Sequence, residues 1–259
     1  VLTQALFRNP LATPDTLGIS SMASLAAAVG ILAGGRNPAQ TLHPGTWFLA
    51  GCGALAATVA ILLLSRLRGA RDLTHLLLAG VCLSAVSSAG IVLATYLGDG
   101  TITNEIVRWL MGSLVSLKLS AAAVIAAVFV VSLAAGLWLR RELEALLLGD
   151  IVAASRGVAV GRVVVCVLVL IGVITATVVA QCGPIAFVSL IVPHLARGVV
   201  GPRLLPLMLG APVLGAGLLA LCDGVSRSLT VFEIPVGVVT SIVGAGFFFY
   251  LLLRGVDEN

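Results

Sequence analysis

Eight stretches of this chain run for 17 to 26 residues with no more than one charged side chain each: 17–34, 45–64, 73–98, 117–139, 161–181, 184–200, 204–223 and 235–253. A helix needs about 20 mostly apolar residues to cross the hydrocarbon core of a bilayer. Lipid offers no water to backbone polar groups, so only helices and closed barrels span it. Barrel strands alternate apolar and polar residues. These runs are continuous, so they predict helices. Composition agrees, with 59% apolar and only 10% charged residues in 259, where a soluble domain carries about 25% charged. So few charges cannot coat a soluble particle of this size. Disordered, collagen-like and nucleic-acid-binding classes are excluded with it. The fold class is an all-α polytopic membrane protein. Segment 184–200 is the weakest span, being short and interrupted by Pro193.

Orientation follows from the cations, which collect on cytoplasmic loops. Alternate connections hold Arg8, Arg66, Arg68, Arg71, Arg140, Arg141, Arg156, Arg162, Arg197, Arg203 and Arg254. The other side holds Arg36, Arg108, Lys118 and Arg227. This asymmetry predicts a cytoplasmic C-terminus, and it explains the basic pI without any nucleic acid. Trp47, Tyr96 and Trp109 fall at expected outer helix ends, and Trp138 and Tyr250 at inner ones, the depths where amphipathic rings are stable. The chain opens at Val1 with neither a charged n-region nor a cleavage site, so it carries no visible signal peptide. It reads as a fragment or a processed chain.

Two stripes of small residues recur at intervals of four: Gly80, Ser84 and Ser88, then Gly237, Ser241 and Ala245. In lipid, such stripes let helices approach closely. They serve either ordinary bundle packing or a subunit interface and moving gate.

Chemistry is sparse. The five cysteines, Cys52, Cys82, Cys166, Cys182 and Cys222, form no CxxC, and His43, His75 and His194 have no ligand-like spacing. Neither a zinc site nor a disulfide framework is indicated, and hydrolase and P-loop signatures are missing. The triplets Leu97-Gly98-Asp99 and Leu148-Gly149-Asp150 fall on opposite sides, so their carboxylates cannot form a catalytic dyad. An ionisable residue deep in a span is a functional suspect, and the middle of almost every span lacks one. A proton pump, a voltage sensor and an ion-coupled antiporter are all disfavoured.

The loop 140–157 is too apolar to be merely solvated. Gly149 and Gly157 divide it into two short helices, and Leu143, Leu146 and Leu147 share one helical face. An apolar face rimmed by charge marks a partner site or a helix lying on lipid. Arg227 follows Asp223 by one helical turn, the spacing of an i,i+4 ion pair.

Three segments carry identity. The first is Arg8-Asn9-Pro10-Leu11-Ala12-Thr13-Pro14-Asp15-Thr16-Leu17-Gly18-Ile19-Ser20, with Thr13 placed as an N-cap. The second is Gly183-Pro184-Ile185-Ala186-Phe187-Val188, followed by Pro193-His194-Leu195-Ala196-Arg197. The third is Glu233-Ile234-Pro235-Val236-Gly237-Val238-Val239-Thr240. In this order, over essentially the whole chain, they resemble the permeases of iron-siderophore, haem and cobalamin ABC importers, the type II importer fold.

The resemblance implies a single permease domain over 1–259. The family plan has ten helices, of which about eight are present here. The chain would begin in the tail of the second helix, and a protein truly starting at Val1 would assemble and transport poorly. The resemblance implies inverted repeats, faintly echoed by Thr3-Gln4 and Ala180-Gln181. It further implies a multi-pass subunit of the bacterial plasma membrane. Its partners would be a second permease subunit (the same chain or a close paralogue), two cytoplasmic ATPases and an outer substrate-binding protein. ATP and Mg would be held by the ATPases and no cofactor by this chain, which is not itself an enzyme. The cargo would be a metal chelate, first an Fe(III)-siderophore, with haem or cobalamin as alternatives. The rival class is a secondary transporter or channel.

The resemblance also assigns residues. Loop 140–157 would hold the coupling helices that engage the ATPases, through Leu143, Leu146, Leu147, Gly149, Asp150, Ser155, Arg156 and Gly157. The usual Arg-x-Leu-Gly ending is replaced by Ala154-Ser155-Arg156-Gly157, which moves the positive charge. Arg227 becomes a docking candidate for acidic residues of the binding protein. The two small-residue stripes become candidates for a dimer-interface pathway. Asn9, Pro10, Pro14, Gly18, Gly183, Pro184, Pro193, His194, Arg197, Glu233 and Pro235 make up the structural motifs, with His194 and Arg197 as anchors. Gly246 stands where relatives usually have Pro, which predicts a straighter last helix.

Overall fold

The computed structural model describes residues 1–34, 44–67, 73–115, 118–228 and 234–256. Glu233, Arg36, His43, Arg68 and Arg71 lie outside the described residues. Twelve α-helices follow one another among those described: α1 (Leu2–Phe7), α2 (Ile19–Gly34), α3 (Pro44–Leu67), α4 (Leu73–Leu97), α5 (Gly100–Leu110), α6 (Leu119–Trp138), α7 (Arg140–Leu147), α8 (Asp150–Ser155), α9 (Val160–Cys182), α10 (Val188–Val200), α11 (Leu204–Ser228) and α12 (Val236–Val256). A single 3-10 turn, Asp15–Leu17, leads into α2.

Five of these helices, α3, α4, α6, α9 and α11, are long and apolar enough to cross a membrane. Two of the expected full spans are shorter than anticipated. At 1.5 Å per residue, α2 rises only about 24 Å and α10 about 20 Å, against a hydrocarbon core of about 30 Å. Both begin immediately after an irregular segment, 8–18 and 183–187. Before α10 the apolar run continues through 183–187, where Gly183, Pro184 and a left-handed Phe187 turn part of it into a bend; before α2 the turn takes only Leu17 and Gly18 from the expected span.

The core gathers around α9. It is the most buried of the five long helices, with 56% of its most apolar stretch inside the protein, against 11% for α6 and 17% for α4. Val164, Val167 and Leu168 of α9 meet Leu6, Leu17, Ile19, Ile61 and Leu143 in one cluster. Between helices in lipid there is no hydrophobic driving force, so close van der Waals fit must hold the bundle. The sequence supplies it with small residues. Ala23 and Ala27 of α2 are fully buried. A Cβ added at Gly53 of α3 would lie 2.5 Å from the Met22 carbonyl oxygen of α2. One added at Gly172 of α9 would overlap Thr58 Oγ1 of α3. The exposed surface is apolar, with Val92 and Leu93 on α4 and Val130 and Val131 on α6 open. Such a surface belongs in lipid or against a partner.

Helix α5 is an addition to the eight expected segments. Asp99 caps it, accepting from Thr101 N (3.1 Å) and Ile102 N (3.0 Å). Ile106 and Trp109 form its inner face, both buried. Trp109 therefore packs inside the protein and is not a membrane-interface anchor, whereas Tyr96 and Trp138 are exposed as that role requires.

Candidate functional site: two bends and a helical loop

The segment 8–18 is a chain of local satisfactions. Arg8 closes α1 in the left-handed region, with φ 49°. Asn9 Oδ1 accepts from Leu11 N at 2.9 Å. Thr13 and Thr16 cap each other: Thr13 Oγ1 accepts from Thr16 N (3.3 Å) and Thr16 Oγ1 accepts from Thr13 N (3.1 Å). This is the reciprocal logic of a capping box. Pro14 enters the turn, and Gly18 leaves it at φ 70°. Gly18 and Gly80 are pressed together, since a Cβ on Gly80 would overlap the Thr16 carbonyl oxygen and stand 2.5 Å from Leu17 Cα.

The second bend repeats the theme with different residues. Gly183 ends α9 at φ 70°, and Phe187 starts α10 at φ 66°. A left-handed conformation is unusual for a bulky side chain. Here Phe187 is held against Gly244 of α12, where an added Cβ would overlap Phe187 Cβ. Phe187, Phe248, Phe247 and His194 form a continuous ring contact, with His194 and Phe247 edge-on at 5.5 Å. In both halves a left-handed residue opens a short helix beside a glycine of a later helix. The two bends meet: Thr13 and Asp15 share a cavity of about 160 Å³ with Phe187 and Ser189. Asp15 reaches the surface of the chain, yet its carboxyl is crowded. That desolvation raises its pKa, and a hydrogen bond from the Ser20 side chain opposes the rise.

The end of α5 buttresses the second bend. Ser113 N donates to the Cys182 carbonyl oxygen at 2.8 Å. Gly112, at φ 65°, leaves no room for a Cβ beside the Pro184 carbonyl. Gly237 of α12 lies against the Met111 carbonyl oxygen, which an added Cβ would overlap. Pro235 is half-buried at the entry to α12.

The small-residue stripes are therefore split in use. Gly80 and Gly237 are buried within the chain. Ser84 donates to the Asp15 carbonyl (3.4 Å) and accepts from Ser21 Oγ (3.2 Å), while Ser241 donates to the Gly237 carbonyl at 2.7 Å. Ser88 and Ala245 are exposed.

Loop 140–157 folds as α7 and α8, divided by Gly149 at φ 114° and ended by Gly157 at φ 78°. Its outward face differs from the one expected. Leu143 and Leu146 are buried, at 0% and 2%, in the chain's own core. The open apolar ridge is Leu147 (42%), Leu148 (59%) and Ile151 (86%). Spacing correctly grouped Leu143 and Leu146, but α1 and α9 cover that face. Ile151 escapes that spacing argument because the shared face was drawn on α7, whereas Ile151 begins α8 beyond the Gly149 break. Ser155 and Arg156 are exposed beside the ridge. One carboxylate oxygen of Glu142 is buried with no hydrogen-bond partner among the described residues.

Polar ties connect the loop to the first bend. Arg8 Nη2 donates to Asp150 Oδ1 at 2.6 Å. Gln4, buried at 4%, donates Nε2 to the Pro10 carbonyl at 2.6 Å and accepts from Arg197 Nη2. Pro193 is buried one turn before Arg197. At the far end of α11, Arg227 holds Asp223 through Nε–Oδ2 (2.9 Å) and Nη2–Oδ1 (3.2 Å), the i,i+4 pair its spacing suggested.

An apolar groove of about 650 Å³ runs between α6, α9, α10 and α11, past Phe129, Ile171, Val192 and Met208. It lacks the convergent polar groups that would recognise a chelate. Among the described residues no three His, Cys, Asp or Glu side chains cluster closely enough to hold a metal ion.

Known proteins resolve the class. The model of the FecCD transport family matches residues 1–254. The chain is 36% identical over 259 residues to the hemin transport system permease protein HmuU of Yersinia pestis, covering all of this chain and 77% of that one. It is 36% identical over 257 residues to the Fe(3+) dicitrate transport system permease protein FecD of Escherichia coli, covering 98% and 78%. Among solved structures it is similar to a metal-chelate type ABC transporter in an inward-facing conformation, with TM-score 0.89 and 30% identity over 98% of this chain and 80% of that one. With two bends, a loop of two short helices and a bundle packed on glycines, the chain belongs to the FecCD transport family, as a multi-pass membrane permease of the ABC importers and not an enzyme.

Proposed function

We propose that this chain is the transmembrane subunit through which an Fe(III)-siderophore is imported, driven by ATP hydrolysis on partner subunits. The observation that carries the reading is the exposed ridge Leu147, Leu148 and Ile151 at the tip of α7–α8. A contiguous apolar surface outside the lipid-facing spans invites a protein partner. The charged neighbours Asp150 and Arg156 suit a rim around that contact. The ATPases bind there, and ATP and Mg stay with them. The C-terminus and the loop share the cytoplasmic side of the bacterial plasma membrane, in keeping with the cation asymmetry. Two copies of the chain, or this chain and a close paralogue, face each other across α4 and α12, whose exposed Ser88 and Ala245 border the pathway. An outer binding protein docks near Arg227 and sets the cargo, because neither bends nor groove present a charged chelate site.

A hemin cargo is the second reading. It rests on 36% identity to a permease named for hemin, the same as to one named for ferric dicitrate. Vesicles holding the permease with its ATPase and binding protein test both. ATP-dependent accumulation of a labelled Fe(III)-siderophore supports the first reading, and accumulation of hemin alone replaces it with the second. Uptake driven by a proton or sodium gradient without ATPase would mean a secondary transporter and refute both.

A further inference from the structure

We propose that Arg8 and Gln4 are positioning residues of transport, forming a relay that ties the coupling helix α8 to the short helix α10. The proposal rests on reading loop 140–157 as the ATPase contact. Three observations carry it. First, the relay is continuous. Asp150, the first residue of α8, accepts from Arg8 at 2.6 Å across 142 residues of sequence. The Arg8 backbone N–H donates in turn to the Gln4 carbonyl, as does that of Asn9. The Gln4 side chain then grips both the Pro10 carbonyl and Arg197 of α10.

Second, each link has little slack. Arg8 is fixed in the left-handed region, the helix between Gln4 and Arg8 is a single buried turn, and Gln4 spends both ends of its amide. Gly149 turns at φ 114° immediately before Asp150, and an added Cβ there would lie 3.9 Å from the Arg8 guanidinium. A loop pushed by a partner would turn at Gly149 while its carboxylate stays tethered to Arg8.

Third, the terminal link is poorly placed to hold the fold together. The Arg8 and Asp150 side chains are 34% and 25% exposed, and partly exposed pairs add little stability. Yet this pair joins the loop to the one turn that Gln4 connects to α10. Displacement of α8 by a partner would pull on Arg8, and through Gln4 on Arg197, moving the bend that faces Phe187.

The test uses the assembled permease, ATPase and binding protein in vesicles, with chelate uptake per ATP hydrolysed as the readout. A merely structural role would lower both quantities together. Arg8→Ala is expected to cut uptake per ATP by about tenfold, an ordinary size for coupling between sites. The double exchange Arg8→Asp with Asp150→Arg restores it, because the pair is re-formed in reverse. Gln4→Glu keeps an acceptor for Arg197 but loses the donor to Pro10, and it lowers the ratio in the same direction. An unchanged ratio in Arg8→Ala, or a loss that the exchange does not repair, overturns the relay. An unsubstituted complex with no ATP-driven uptake overturns the importer reading and the relay together.

Discussion

A glycine at position 80 or 237 leaves its neighbours no freedom to accommodate anything larger. The atoms that a Cβ would strike are backbone atoms of Thr16 and Leu17 in one case and of Met111 in the other. Backbone fixed in a turn cannot rotate away as a side-chain tip can. Overpacking of this kind costs about 1–3 kcal/mol. Gly80→Ala and Gly237→Ala should each lower the thermal unfolding midpoint of the detergent-solubilised protein. Gly246→Ala in the same α12 meets no atom within 4 Å and should leave the midpoint unchanged or raise it slightly, since Ala is the better helix former. Equal losses at all three positions would show that helix propensity, not close packing, is what these glycines supply. The stripes were legible as stripes from their spacing of four. Their division into buried Gly80 and Gly237 and exposed Ser88 and Ala245 was not, because spacing names a face and not what lies against it.

Helix α5 shows what a single well-capped element contributes. Its sequence is amphipathic, and its first turn depends on one carboxylate that accepts two backbone N–H groups. Removing an N-cap side chain costs about 1 kcal/mol. Asp99→Ala should therefore loosen residues 100–110, and their amides should exchange with solvent faster, while Asp99→Asn keeps the rate near the original. Looser α5 should propagate to the Gly183-Pro184 bend, because Ser113 donates to Cys182. Unaltered exchange in Asp99→Ala would mean that tertiary packing of Ile106 and Trp109 alone holds the helix. The element was missed in the sequence because 100–110 holds few enough apolar residues to pass as an outer loop. Its cap and its buried pair were present to be found. The long spans were legible because burial in lipid demands an uninterrupted apolar run. The shortened α10 was not, because the bend Gly183-Pro184-Ile185-Ala186-Phe187 keeps hydropathy high while holding off the helix.

At the scale of the whole molecule, the contrast between Leu143 and Ile151 decides where a partner can act. The loop's apolar content reflects two short helices, with Leu143 and Leu146 packed in the core. Its face was misassigned, because α1 comes from the other end of the sequence to cover Leu143 and Leu146, and no local pattern in the loop reveals that. The part left outward is small and runs from the end of α7, Leu147 and Leu148, to Ile151 at the start of α8. Ile151 is 86% exposed, so a charge there costs the fold almost nothing, whereas one at Leu143 would be buried in the core. The two substitutions thus separate folding from engagement. Leu143→Glu should leave little folded protein, because an unpaired buried carboxylate is among the costliest changes. Ile151→Glu should express, insert and unfold at an unchanged temperature, yet fail to retain the ATPase on co-purification and fail to support ATP-driven uptake. Loss of about 2 kcal/mol at one desolvated anchor is the threshold of an interface hot spot, which corresponds to roughly thirtyfold weaker association. Retention of the ATPase by Ile151→Glu, with uptake intact, would exclude the ridge as the coupling contact and point instead to the exposed Ser155–Gly157 corner.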